Sequence, residues 1–86
     1  MPKISEFFGI SIYMYYREHQ PPHFHAIYGD SEALFSIETL SAIAGKLSPR
    51  AMGLVIEWAT IHQQELGEAW EQAKAHEPMI SIEPLK

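Results

Sequence analysis

Three of the five histidines of this 86-residue chain fall in one short stretch, EHQPPHFHA (Glu18–Ala26): His19 and, beyond Pro21-Pro22, the pair His23 and His25. On a strand, side chains alternate at about 3.3 Å per residue, so His23 and His25 share a face roughly 7 Å apart. Zinc and other nitrogen-preferring divalent ions use a His-x-His spacing of this kind. His19, folding back from the loop, would be a third ligand (giving His19, His23, His25), with a carboxylate or water as a fourth. The chain has no cysteine, so any metal must be held by nitrogen and oxygen. A second chemistry needs no metal. Histidines titrate near neutral pH, so His23 and His25 can serve as acid and base with His19 assisting, as 2′-OH attack on an RNA phosphodiester requires. Arg17 would then hold the phosphate bidentately, Lys46 would add a point charge, and Tyr13 and Tyr15 would offer stacking surfaces. The plain structural use of the same residues is also open: His19 and His23 bonding the backbone around the Pro-Pro turn, and His25 packing at a sheet edge.

The flanking sequence predicts what must position them. From Ile10 to Tyr16 apolar residues alternate, with Ile10, Ile12, Met14 and Tyr16 on one face and Ser11, Tyr13, Tyr15 and Arg17 on the other. The loop Glu18–Pro22 ends that strand, because Pro21 and Pro22 have no N–H for a ladder. A second strand over His23–Tyr28 runs into Gly29-Asp30, a hairpin signal, and a third over Glu32–Glu38 alternates Ala33, Phe35 and Ile37. A short fourth strand fits around Gly45. Ser48-Pro49 then pairs an N-cap hydroxyl with a proline at the first helical position. Leu54, Val55, Trp58, Ile61 or His62, Leu66, Ala69, Trp70 and Ala73 recur at helical steps to about Ala75, before Pro78. Unbroken, that helix would be roughly 40 Å long at about 1.5 Å per residue, so a bend near Gln63–Gly67 is expected. Gly53 and Gly67, where bulkier helix residues would be expected, weaken the case for an unbroken helix further. Trp58 and Trp70 read as core anchors, His62 as a core-edge residue one turn from Trp58, and the tail PMISIEPLK as an edge strand. The expected fold is α+β, a single domain over residues 1–86. It is an antiparallel three- or four-stranded β-meander followed by a C-terminal helix or broken helix pair packed on one sheet face.

Composition bounds the partners. A 47% hydrophobic content supports one core. The net charge of −5 makes the chain a poor non-specific binder of nucleic acid, since phosphate neutralisation drives that binding. Most of the acidity lies beyond residue 50, and the nearly neutral N-terminal half leaves a local anion site open around the histidines. No apolar run approaches the ~20 residues of a membrane span and the start, MPKISEFFG, lacks a signal-peptide pattern. A cytoplasmic protein with no membrane partner is the expectation.

Three segments together resemble a known family: MPKISEFFGISIYMYYREHQPPHFHAIYGD, GKLSPRAMGLVIEWATIHQQEL and EPMISIEPL. The chain is similar to the small prokaryotic proteins called domain of unknown function 4160. That family shows an aromatic-Gly start, a histidine before Pro-Pro, His-Phe-His and a Tyr-Gly turn. Here these are Phe8-Gly9, His19, Pro21-Pro22, His23-Phe24-His25 and Tyr28-Gly29. The resemblance implies a small partner protein encoded by the adjacent gene, of the domain of unknown function 2442 type, as in a toxin–antitoxin pair. It carries no catalytic role to any residue. The expected function is then the toxin-like component of a bacterial type II toxin–antitoxin-like two-gene module acting on RNA by ribonuclease-like acid–base chemistry. Such a site would use His23, His25 and His19, with Arg17, Tyr15 and Lys46 binding substrate. One alternative is a non-enzymatic protein-interaction module; another is a small His-ligated metal-binding protein holding Zn.

Overall fold

Five antiparallel strands lie side by side in chain order: β1 (Lys3–Phe7), β2 (Ile10–Tyr13), β3 (His23–Tyr28), β4 (Ser31–Ser36) and β5 (Ala42–Gly45). The computed structural model describes residues 2–16 and 18–86. The meander is the expected one with an extra strand at its start. Strand β1 escapes a period-2 reading because the register slips between Lys3 and Ser5, so that adjacent Ile4 and Ser5 are both buried. The first predicted strand, Ile10–Tyr16, pairs only to Tyr13, although Met14 is still fully buried.

Gly29-Asp30 sets the register of the central hairpin. Tyr28 pairs with Ser31 across a two-residue turn, and Gly29, at φ +60°, supplies the positive φ that such turns need at their first central position. His25 therefore pairs with Leu34, and on the other side with Tyr13. One sheet face carries Ile12, Phe24, Ala26, Ala33 and Phe35, all buried. His23, His25, Tyr13 and Leu34 alternate with them and belong to the opposite face.

Helix α1 (Pro49–Ile61) begins as its sequence predicts, with Ser48 Oγ accepting the Ala51 N–H at 3.3 Å and Pro49 in the first turn. It covers the apolar face: the Trp58 ring lies 5.8 Å from Phe24 and 5.3 Å from Phe7, centroid to centroid. The helix breaks at His62, just before the predicted segment, and α2 (Gln63–Lys74) follows. Neither Gly53 nor Gly67 causes the break, since both lie inside helices.

Both helices contribute to one buried core, α1 with Ala51, Val55 and Trp58 and α2 with Leu66, Ala69, Trp70 and Ala73. Gln63 Nε2, at the start of α2, donates to the carbonyls of Ile37 (2.8 Å) and Glu38 (3.2 Å) just past β4, while Tyr16 Oη, beyond β2, donates to the Glu77 carbonyl after α2. Helix α2 thus lies across the end of the sheet where β2 and β4 stop and β3 starts. The tail is not a ladder strand, yet the Ile82 N–H donates to the Ile4 carbonyl at 2.8 Å and Trp58 Nε1 donates to the Glu83 carbonyl at 2.8 Å. That fastens the tail against the outer edge of β1. Among the described residues no helix is long and apolar enough to cross a membrane.

Candidate metal centre

Because α2 crosses the end of the sheet, it brings Trp70 against the first residue of β3. The His23 and Trp70 rings are 5.3 Å apart, and His23 is 6% exposed. His25, two residues on, lies 5.3 Å from His23, and the Tyr15 ring meets it edge-on at 4.6 Å. Strand alternation gives this same-face pair, as the sequence predicts. The third member is not the expected one. His19 is exposed, and Glu18, one residue earlier, reaches the pair.

Each imidazole is tied down through Nδ1 and turns Nε2 toward Glu18. His23 Nδ1 lies 2.8 Å from the Pro21 carbonyl oxygen. A carbonyl only accepts, so Nδ1 carries the hydrogen and Nε2 of the neutral ring carries a lone pair. His25 Nδ1 lies 2.9 Å from Glu32 Oε2 in the same way. Both Nε2 atoms approach one oxygen, Glu18 Oε1, at 2.7 Å from His25 and 3.7 Å from His23. One ligand atom from each of Glu18, His23 and His25 lies within 4.8 Å of the other two. Ligating histidines commonly have the distal nitrogen donating to a carboxylate or carbonyl, which fixes the tautomer and aims the other nitrogen. Two nitrogens and a carboxylate oxygen are donors that zinc accepts at about 2.0–2.2 Å, placing tetrahedral ligands about 3.3 Å apart. The 2.7 and 3.7 Å separations bracket that spacing.

His25 faces carboxylate oxygens on both ring nitrogens, and a neutral imidazole has only one N–H. The Glu18 contact therefore needs a further proton, on the ring or on the carboxyl, or a metal ion between the two groups. A proton on His25 would satisfy Glu18 but give His23 Nε2 nothing. One ion would engage all three.

Tyr15 lines a cavity of about 220 Å³ with Glu18, Trp70, Ala73, Lys74 and His76. Burial, aided by the negative charges of Glu32, Tyr13 and Glu18, holds its phenol above the ordinary value of 10.0, so it is an uncharged wall at neutral pH. Lys46 is exposed beyond β5 and does not line the cavity; its backbone N–H donates to the Glu32 carbonyl at 3.1 Å. Arg17 lies outside the described residues. His62 belongs to the other side of the sheet, 5.6 Å from the Trp58 ring and bonded to Glu65. Glu32 was legible in principle, because a 28–31 turn puts residue 32 diagonal to His25 on one face. Trp70 had no such signal, since its approach to His23 depends on the direction of α2.

No curated protein and no solved structure matches the chain. A family model described as Domain of unknown function (DUF4160) matches residues 9–71, from the turn before β2 into α2. The matched span contains Glu18, His23, His25, Glu32 and Trp70, and the chain belongs to the DUF4160 family.

Proposed function

We propose that the chain binds one divalent transition-metal ion, zinc or a close analogue, through Glu18 Oε1, His23 Nε2 and His25 Nε2. The observation that carries this is the convergence of two imidazole lone pairs on one carboxylate while both Nδ1 atoms are bonded outward. Three protein ligands leave a coordination position for water or substrate, the pattern of catalytic rather than closed structural zinc sites. The same geometry weighs against His23 and His25 as a free acid–base pair. Two carboxylates bracket His25, and a negative field favours a cation there over a phosphodiester. A toxin-like action on RNA would then run through water activated on the ion, which supplies a nucleophile at neutral pH.

The test is calorimetric titration of the untagged, chelator-treated chain with Zn²⁺, with metal content checked by elemental analysis. One equivalent is expected to bind, and His25→Ala and Glu18→Ala, at incompletely buried positions, are expected to lose it while keeping the fold by circular dichroism. Binding that both variants retain, or no stoichiometric binding, would overturn the assignment and leave His25 as a hydrogen-bonding residue between Glu18 and Glu32.

A further inference from the structure

The cavity beside the three ligands is shaped for more than water. Its wall includes Glu18 itself, so it opens directly on the coordination sphere, and Tyr15 and Trp70 each touch one of the two histidines. Ala73 adds an apolar patch, and Lys74 and His76, at and beyond the end of α2, complete the lining. At about 220 Å³ it is smaller than the ~300–1,000 Å³ of sites for drug-sized molecules, which restricts the occupant to a small ligand.

Positive charge in the cavity wall specifies the chemistry of that ligand. Among the described residues, Lys74 brings positive charge to a cavity whose wall also carries the Glu18 carboxylate. Its partner Glu71 is 3.6 Å away with both side chains exposed, a pairing too weak to compete with a bound anion.

From these observations, and resting on the metal assignment above, we infer that the cavity binds a small organic oxyanion, a carboxylate or phosphonate-like head on the ion's open position with an apolar, ring-sized body between Tyr15 and Trp70. Lys74 supplies the second positive charge that draws the anion in. Aromatic side walls suit a flat body by offset or edge contacts.

Co²⁺ makes the site visible, because its visible absorption changes with coordination. The Co²⁺-loaded full chain is titrated with benzoate, phenylphosphonate and acetate, which separate a carboxylate head from a phosphorus head and both from the body. Saturable spectral change with at least one of the ring-bearing anions, about tenfold tighter than acetate, is expected from burying the ring. Lys74→Gln is expected to weaken that anion severalfold with Co²⁺ affinity unchanged. Acetate binding as tightly as the ring-bearing anions, or a spectrum none of the three alters, would overturn the ligand class while leaving the metal site standing. Full affinity in Lys74→Gln would overturn the role of Lys74. Failure of Co²⁺ to bind at all would overturn the metal assignment and this inference with it.

Discussion

At His25 the arrangement turns on what Glu32 does from the neighbouring strand. Its carboxylate accepts from Nδ1 at 2.9 Å, which keeps the hydrogen there and makes Nε2 the more basic nitrogen, aimed at Glu18. Removing such a support commonly costs 10–100-fold in metal affinity, because the ligand is then free to rotate or change tautomer. Glu32→Gln is therefore expected to weaken Zn²⁺ binding by about that factor in a calorimetric titration, with stoichiometry unchanged. Glu65→Gln, which alters the carboxylate on His62 at the other histidine site, should leave Zn²⁺ affinity where it was. Equal losses in the two variants would mean that general electrostatics, rather than the orientation of one imidazole, governs affinity.

Two glycines separate strain from propensity among the elements. Gly45, the last residue of β5, has φ +75°, and a Cβ there would lie 2.2 Å from the Glu32 carbonyl oxygen. Left-handed backbone alone costs a non-glycine residue roughly 1–2 kcal/mol, and the clash is with backbone that cannot swing aside. Gly45→Ala should lower stability by at least that much in denaturant unfolding. Because the displaced segment is Glu32, Zn²⁺ affinity should fall too. Gly53, inside α1 with open space around its Cα, is the opposite case: Gly53→Ala should raise stability by about 0.5–1 kcal/mol and leave the site alone. Elements with local signals were legible in the sequence. The Ser48-Pro49 helix start, the 29–30 hairpin and the His23–Tyr28 strand depend on side chains within a few positions and stand where expected. Strand β1 was hidden by its bulge, and the path of α2 by tertiary bonds from Gln63 and Tyr16 that no periodicity encodes. The candidate site divides the same way. Strand alternation alone pairs His23 with His25, whereas the substitution of Glu18 for His19 follows from how the loop before Pro21 returns to the sheet.

For the whole molecule, an ion at this centre acts on stability as well as on chemistry. In a domain of 86 residues the net stability is a small difference between large opposing contributions, so ligand binding to the folded state is felt strongly. His23 and His25 come from β3 and Glu18 from the loop before it, held in place by contacts to β4, to Tyr15 beyond β2 and to α2. The unfolded chain holds none of that geometry. Free Zn²⁺ at about 100 times its dissociation constant should therefore stabilise the fold by about 2.7 kcal/mol. For a domain of this size each kcal/mol moves the melting temperature by about 4–8 °C, giving an expected rise of roughly 10–20 °C in a thermal scan. His25→Ala should melt at one temperature with or without the ion. The rise should also shrink as pH falls, because protons compete for the imidazole and carboxylate lone pairs that the ion needs. A rise that persists undiminished in acid, or that His25→Ala shares, would place the ion elsewhere on a surface whose net charge of −5 attracts cations generally.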